Sequence, residues 1–264
     1  MSSTITIMGL NLAIVLGMMV GVWLLSLLLK DASIADIFWG LGFVLVAWVT
    51  FFWAEGYILR QLLLTILVSV WGLRLAAYIG FRNRGKGEDR RYQAWRVQYG
   101  KNFWWVSLFN VFGVQAILLW VISLVVQAGQ IASGPAGLGR LDWAGFVIWT
   151  IGFAFEAGAD LQLYRFKADP MNRGKVMDRG LWAYSRHPNY FGESLIWWGI
   201  FLITLSTPNS LWTVISPITI TFLLLKVSGV TLLEKTIVEK RPEYRAYIKA
   251  TSAFLPWFPG RKDP

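Results

Sequence analysis

Seven long apolar segments recur along this chain, separated by loops that hold most of its charge. Most of the segments reach the ~20 residues that an α-helix needs to cross ~30 Å of hydrocarbon. The pattern therefore predicts an all-α fold, a polytopic membrane protein with seven transmembrane helices. The segments run roughly over Ile5–Leu29, Ile34–Trp53, Gln61–Phe81, Phe103–Gln127, Trp143–Leu163, Asn189–Leu205 and Leu211–Val230.

The positions of lysine and arginine predict the orientation of these helices. The loops after the third and fifth segments, together with the C-terminal region, hold most of the 25 basic residues. The loops on the opposite side offer only Arg60 and Arg140. By the positive-inside rule the N-terminus is outside and the C-terminus is cytoplasmic, which seven spans satisfy. In a bacterial cell this predicts a multi-pass protein of the inner membrane.

The amino-acid composition excludes several kinds of site and partner. The 264 residues include no cysteine and one histidine, which excludes disulfides, thiolate metal sites and multi-histidine metal sites. We therefore expect no metal. The net charge of +10 comes without a recognised nucleic-acid-binding motif, so we expect no nucleic-acid partner. The basic loops fit anionic membrane lipid, or a pocket for a phosphate-bearing ligand.

A polar stripe runs along the third predicted helix. Arg74, Tyr78 and Arg82 follow at i, i+4 and i+8, so they lie on one face. A tyrosine alone is often an interfacial anchor. With an arginine one turn to either side, Tyr78 becomes a candidate proton donor, because neighbouring cations make its proton easier to give up.

Two carboxylates, Glu156 and Asp160, lie four residues apart on the fifth predicted helix. Like charges at this spacing repel, and in a membrane each also loses hydration. The pair therefore needs a cation, a ligand donor or a shared proton. A structural pair closed by Arg74 or by another helix is one interpretation, and a ligand-binding or catalytic role is the other.

A basic, aromatic stretch passes without a break into the sixth predicted helix, in the run RGLWAYSRHPNYFGESLIWW. Pro188 suits the first turn, since its missing N–H would be unpaired there. Asn189 and Glu193 then lie four apart on one face, where a carboxylate is costly unless something uses it. We expect His187 to form hydrogen bonds at the start of this helix rather than to bind a metal.

Glycines on the fifth and sixth predicted helices allow close approach, either of the two helices or of a flat ligand. They are Gly152, Gly158, Gly192 and Gly199. The chain has no GxGxxG after a strand, so a dinucleotide would be bound without a Rossmann fold.

The quoted residues carry a resemblance. The run GLWAYSRHPNYFGE, followed by LEK…RPEYRAYIKATSAFLPW, resembles the C-terminal region of the steroid 5-alpha-reductase superfamily. The runs SIADIFWGLGF and WGLRLAAY…RNRGKGEDRRYQAWR look like the bacterial membrane branch of that family. The similarity covers about residues 31–258. Isoprenylcysteine carboxyl methyltransferases, which use S-adenosylmethionine, carry a similar RHPxYxG stretch and tail, and the N-terminal half favours the reductases.

The resemblance implies a single integral-membrane reductase domain over residues 1–264. Helix 1 would be peripheral, and helices 2–7 would form the cavity for cofactor and substrate. The family binds NADPH from the cytoplasmic side and reduces a carbon–carbon double bond conjugated to a ketone. The expected substrate is a lipophilic enone, either a 3-oxo-Δ4 steroid undergoing 5-alpha-reduction or another flat or polyprenoid enone.

The resemblance also assigns roles to residues. Tyr78 matches the catalytic tyrosine, and Asp36 on the second helix is the counterpart of its carboxylate partner. Tyr78, steadied by Asp36, would donate a proton toward the ketone oxygen. The residues expected to bind the cofactor are Arg82, Glu156, Asp160, Lys167, Lys175, Tyr184, His187, Asn189, Glu193, Glu234 and Tyr244.

We expect the cofactor phosphates to contact Arg82, Lys167 and Lys175, and the nicotinamide amide to be held by Asn189 or Glu193. The catalytic and cofactor residues should converge on one pocket that opens to the cytoplasm. Two other functions stay open. One is an S-adenosylmethionine-dependent membrane methyltransferase acting on a lipid or a small thiol, and the other is a lipid-binding or transport protein.

Overall fold

The fold is that of a computed structural model, which describes residues 3–227, 234, 237–238 and 243–260. Every regular element in this part of the chain is helical, and the all-α prediction is confirmed. The α-helices are α1 Thr4–Leu29, α2 Ile34–Trp53, α3 Ile58–Asn83, α4 Arg90–Tyr99, α5 Phe103–Ser107, α6 Val114–Ile131, α7 Arg140–Ala168, α8 Leu181–Tyr184, α9 Pro188–Leu205, α10 Ile215–Phe222 and α11 Tyr244–Ala250. A π-helical turn, Leu108–Gly113, joins α5 to α6, and a second, Leu223–Val227, follows α10.

Among the described residues, five helical stretches are long and apolar enough to cross a membrane. They are Thr4–Leu29, Ile34–Trp53, Ile58–Asn83, Arg90–Ile131 and Arg140–Ala168. These stretches fit an integral membrane protein.

The sixth and seventh predicted spans are not among these five stretches, for a different reason in each case. Helix α9 has 18 residues, but Asn189 and Glu193 in its first two turns lower its mean hydropathy. The stretch Leu211–Val227 is shorter, and the predicted extension to Val230 lies outside the described residues. Seven spans and their orientation therefore stay predictions.

Helix α3 is longer at both ends than the predicted segment, Gln61–Phe81. The sequence pattern places Arg60 in the loop before the third span, so the predicted segment begins at Gln61. The structure instead places Arg60 inside α3 with no exposed surface. Its Nε donates to Asp142 Oδ1 at 2.9 Å, and Nη2 donates to the Gly137 carbonyl at 3.1 Å. The guanidinium is therefore compensated inside the protein.

The chain forms two compact units. Unit 1 comprises Met1–Asp142 and Ile203–Ser216, and unit 2 comprises Trp143–Leu202 and Pro217–Pro264. The catalytic residues expected from the resemblance, Asp36 and Tyr78, belong to unit 1.

In unit 1, helices α2 and α3 pack closely along their length. At one crossing a Cβ on Gly40 would lie 2.6 Å from the Gly72 carbonyl oxygen, so the two backbones touch. Helix α1 is attached to this core by a buried amide. Asn11 Nδ2 donates to Thr50 Oγ1 at 2.9 Å and to Gln127 Oε1 at 3.0 Å.

In unit 2, helices α7 and α9 run antiparallel in backbone contact. A Cβ on Gly152 would lie 2.7 Å from the Gly192 carbonyl oxygen. Two turns along, a Cβ on Gly199 would lie 2.7 Å from both the Gly145 carbonyl oxygen and the Trp149 nitrogen. Of the two roles that the sequence allowed, the structure shows helix packing for Gly152, Gly192 and Gly199, whereas a Cβ on Gly158 would lie 3.3 Å from the Leu181 side chain.

We expect Gly199→Ala to lower the free energy of unfolding by about 1–3 kcal/mol, because the added methyl group has backbone on the opposite helix and cannot be accommodated without separating α7 from α9. Thermal or denaturant unfolding in detergent measures the change.

The matched control is Gly9→Ala on α1, where nothing lies within 4 Å of the added Cβ. That substitution should be neutral or slightly stabilising, since alanine favours helix more than glycine does. Equal effects from both substitutions would contradict the tight crossing of α7 and α9.

Candidate functional site

Tyr78 lies on α3 between two arginines, as the i, i+4, i+8 spacing predicts. The guanidinium carbons of Arg74 and Arg82 each lie 5.7 Å from the centre of the Tyr78 ring. A cation over the face of an aromatic ring is attracted by the ring's electron density. The two arginines therefore both contact the ring and place positive charge near the phenol.

Asp36, in the first turn of α2, forms two short contacts that the sequence did not indicate. Its Oδ1 accepts from the Tyr92 hydroxyl at 2.7 Å, and its Oδ2 accepts from Arg91 Nη2 at 2.7 Å. Both donors lie on α4, 55 and 56 residues further along the chain. The structure thus gives Asp36 a tyrosine partner in Tyr92, whereas its expected pairing with Tyr78 stays a prediction.

The loop before α4 is fastened to the start of α2. Glu88 accepts from Arg96 through both carboxylate oxygens, at 2.9 and 2.8 Å, and from the Ala32 backbone N–H at 2.8 Å. The Asp89 backbone N–H donates to Ser33 Oγ at 2.6 Å. Since these residues flank Asp36 and Tyr92 in the sequence, the contacts fix the two elements that carry that pair.

In unit 2, the polar stripes of α7 and α9 face each other. Asn189 Nδ2 donates to Asp160 Oδ1 at 3.2 Å, which joins the two helices. Glu156, Asp160 and Glu193 are buried. The Asn189 side-chain oxygen is also buried, and none of the described residues donates a hydrogen bond to it. A buried amide oxygen without a donor can accept one from a ligand.

A second group of charges lies just before α9. Arg186 Nε and Nη2 donate to the two carboxylate oxygens of Glu234 at 2.7 and 3.0 Å, a bidentate pair. His187 Nε2 lies 3.1 Å from Glu234 Oε1. Arg186 also donates through Nη1 to the carbonyls of Ile248 and Thr251. As expected, His187 forms a hydrogen bond at the start of α9, and the group ties this segment to the C-terminal region.

These contacts change the ionisation of the group. Burial alone would raise the pKa of Glu234, but hydrogen bonds from His187 and Arg186 lower it to about 2. Burial and the Glu234 charge together raise the pKa of the Tyr244 hydroxyl to about 12. Glu234 is therefore ionised and Tyr244 is neutral at physiological pH.

Unit 2 also has a surface cleft with a volume of about 620 Å³. Three cationic side chains and two carboxylates lie around it, so it can hold a ligand that carries both phosphates and hydroxyls. The residues that line it are Arg173, Gly174, Lys175, Val176, Asp178, Arg179, Glu243, Ala246 and Tyr247. Lys175 is predicted from the sequence to contact the cofactor phosphates. Arg173 and Arg179 belong to the same basic loop, but the sequence did not predict that they bind the cofactor.

The remaining expected residues have separate places. Lys167 is exposed near the end of α7, and Tyr184 is exposed in α8 with its ring 6.2 Å from that of Phe258. Tyr244 is buried at the start of α11. Arg82 belongs to unit 1, and the other expected cofactor residues belong to unit 2. Their convergence on one pocket stays a prediction.

A family model described as "Protein of unknown function (DUF1295)" matches residues 22–251 of the chain. An uncharacterized protein of Schizosaccharomyces pombe is 27% identical over 286 residues, an alignment that covers 96% of this chain and 80% of that protein. No solved structure matches the chain significantly.

Two shorter similarities lead to proteins with named activities. A probable O-methyltransferase of Ustilaginoidea virens is 33% identical over 86 residues, 32% of this chain and 30% of that protein. A Delta(14)-sterol reductase of Ascobolus immersus is 31% identical over 105 residues, 34% of this chain and 24% of that protein. The chain spans less than a third of the length of either protein, and it is a distant relative of both.

Replacing Glu234 with glutamine should lower the free energy of unfolding at pH 7 by about 3 kcal/mol, because Arg186 would lose its countercharge. The folded-state pKa of Glu234 is about 2, and an unfolded glutamate titrates near 4.3. The carboxylate therefore stabilises the fold above about pH 4.3, and this contribution is lost as pH falls toward 2.

Unfolding of wild type and Glu234→Gln in detergent, compared from pH 7 to pH 3, measures this effect. The difference between the two proteins should narrow as the pH falls. Glu55→Gln, at an exposed carboxylate, is the control and should leave stability unchanged at every pH. A gap for Glu234→Gln that stays constant with pH would contradict the assignment.

Proposed function

The chain belongs to the DUF1295 family of proteins of unknown function, and from that premise we propose that it is an integral-membrane reductase that uses NADPH to reduce the carbon–carbon double bond of a lipophilic enone. The distant similarity to a sterol reductase supports the reductase class. The observation that carries the proposal is the buried oxygen of Asn189, which accepts no hydrogen bond from the part of the chain that the structure describes.

The polar end of α9 fits the amide of a nicotinamide. A carboxamide offers two N–H donors and one oxygen acceptor. The Asn189 oxygen would accept one of the donors, while its amide nitrogen stays on Asp160. When bound, NADPH would supply the hydride.

The cleft of unit 2 fits the phosphates. Lys175, Arg173 and Arg179 line it, and guanidinium groups bind phosphate oxygens through paired, charge-assisted hydrogen bonds. The preference for NADPH over NADH would follow from the additional phosphate of NADPH, which three cations in one cleft favour. Lys167 and Arg82 are proposed as further phosphate contacts.

Tyr78 is proposed as the proton donor. As negative charge develops on the ketone oxygen during reduction, a positioned hydroxyl stabilises it by a hydrogen bond and then by proton transfer. Arg74 and Arg82 hold the Tyr78 ring and stabilise the phenolate that remains. The substrate is proposed to be a 3-oxo-Δ4 steroid, or another flat or polyprenoid enone that reaches the protein from the bilayer.

The proposed topology follows the distribution of charge. Seven spans with the N-terminus outside would place the basic loops, Asp36, Tyr78 and the cleft of unit 2 on the cytoplasmic side. A water-soluble cofactor would then bind from the cytoplasm of a bacterial cell, with the protein in the inner membrane.

A membrane methyltransferase is the second candidate, because the similarity to a probable O-methyltransferase is comparable in identity and coverage to that of the sterol reductase. A thermal shift of the purified protein separates the two. A ligand present at 100 times its Kd stabilises the fold by about 2.7 kcal/mol. NADPH should raise the melting temperature and S-adenosylmethionine should leave it unchanged.

The same assay tests the carrying residue. Asn189→Leu should weaken NADPH binding about tenfold, as expected for the loss of one buried hydrogen-bond acceptor. Asn102→Leu, at an exposed amide, should bind as wild type does. Stabilisation by S-adenosylmethionine alone would replace the reductase proposal with the methyltransferase.

Tyr78→Phe should lower the turnover by about 10²–10⁴ because a positioned proton donor is lost, while the NADPH thermal shift stays the same. Oxidation of NADPH in membrane fractions, with testosterone, progesterone and a linear enal as substrates, measures the turnover.

Tyr57→Phe is the matched control, since the guanidinium carbon of Arg60 lies 5.6 Å from the centre of that ring as well, at the opposite end of α3. It should retain full turnover. Unchanged turnover in Tyr78→Phe would remove Tyr78 from the mechanism.

A further inference from the structure

The Asp36 site in unit 1 continues beyond Tyr92. Gln115, in the first turn of α6, donates through Nε2 to the Tyr92 hydroxyl oxygen at 3.3 Å. Four polar groups thus form one chain of hydrogen bonds, from Gln115 through Tyr92 to Asp36 and Arg91. The Gln115 side-chain oxygen is at its end, where it is buried and has no hydrogen-bond partner within residues 3–227 or the other described residues.

The direction of these hydrogen bonds determines what the Gln115 end of the series can bind. The carboxylate of Asp36, paired with Arg91 at 2.7 Å, only accepts, so the Tyr92 proton points to Asp36. The Tyr92 oxygen must then accept from Gln115, which fixes the orientation of the amide. Because hydrogen bonds in a chain polarise one another, donation by the amide nitrogen strengthens the carbonyl oxygen as an acceptor. This series of hydrogen bonds therefore ends at the Gln115 side-chain oxygen, a strong acceptor to which a ligand could donate.

The backbone beside Gln115 is irregular. The turn Leu108–Gly113 is π-helical, and the Val114 N–H donates to the Phe109 carbonyl five residues before it. Its last residue is a glycine, and a Cβ there would lie 3.1 Å from the Leu108 carbonyl oxygen. Single π-helical turns inside helices are frequent at functional sites. Here such a turn directly precedes α6, the helix that carries Gln115.

The surroundings favour an apolar ligand. Phe109 in the turn and Val114 just after it are 62% and 49% exposed, and Gln115 itself is half-buried. In a membrane, exposed apolar side chains of this kind face lipid. A donor that arrives from this side must be carried by an apolar molecule.

We propose that Gln115 is a binding site for the hydroxyl group of a lipophilic alcohol, with Tyr92, Asp36 and Arg91 as the groups that orient its amide. The alcohol donates to the Gln115 oxygen and its hydrocarbon packs along Phe109 and Val114. The site is formed by residues of unit 1 and does not depend on which reaction the protein catalyses.

Photolabelling of the full chain in lipid nanodiscs tests the site. The probe is a C15 isoprenoid alcohol with a diazirine group, and its methyl ether is the comparison, because the ether keeps the hydrocarbon and lacks the donor. We expect the alcohol to label peptides around residues 108–117 with an apparent affinity about fivefold higher than that of the ether, as for one hydrogen bond. Equal labelling by the two probes, or labelling elsewhere, would overturn the proposal.

A variant then assigns the hydrogen bond to its residue. Gln115→Leu should remove the advantage of the alcohol over the ether, whereas Gln98→Leu, at an exposed amide on α4, should keep it. If the advantage persists in Gln115→Leu, the proposed acceptor is wrong. If Gln115→Leu does not fold, the comparison of alcohol and ether on the unaltered protein still decides, and equal labelling there counts against the site.

Discussion

The interior of a bilayer offers no water to hydrogen-bond a polar group, so a membrane protein must pair such groups within itself. Arg60 shows how completely this is done here. Its guanidinium, with no exposed surface, is shared among Asp142 and the carbonyls of Pro135 and Gly137. Asp142 in turn accepts from the Gly139 N–H and from Ser206 Oγ. A charge that would be costly in lipid instead connects α3, the loop before α7 and the segment after α9.

Against this background, polar atoms without partners are informative, although they differ in kind. The side-chain oxygens of Asn11 and Gln130 have no partner among the residues that the structure describes, but their amide nitrogens make several hydrogen bonds between helices. In those residues the spare oxygen accompanies a packing contact. Asn189 and Gln115 differ from these two. The amide nitrogen of Asn189 donates to Asp160, and that of Gln115 donates to Tyr92, which in turn donates to Asp36. In both residues the side-chain oxygen is the last atom of the hydrogen-bonded series among the described residues. These two oxygens are the acceptors on which the proposed ligand contacts rest.

The helices could be predicted from the sequence because their signal is local. A run of about twenty apolar residues indicates a span wherever it occurs, and α2 was predicted with its observed bounds. The partners could not be predicted in the same way. Asp36 and Tyr92 are 56 residues apart, and His187 and Glu234 are 47 apart, so no spacing rule connects them. The stripe around Tyr78 was predictable because its members lie on one helix.

The glycines of unit 2 connect its packing to its candidate site. A Cβ on Gly192 would lie 2.5 Å from both the Glu156 nitrogen and the Gly152 carbonyl oxygen, so α7 and α9 meet backbone to backbone within a turn of Asn189. A hydrogen bond of 3.2 Å between two short side chains, Asn189 and Asp160, requires helices this close. The glycines, for which the sequence allowed packing or a ligand, therefore act through packing, and that packing positions the proposed ligand-binding residues Asn189 and Asp160. Two turns along the same interface, Gly199 also keeps α7 and α9 in backbone contact because it has no side chain. The packing of the two helices thus holds the Asn189–Asp160 pair in place.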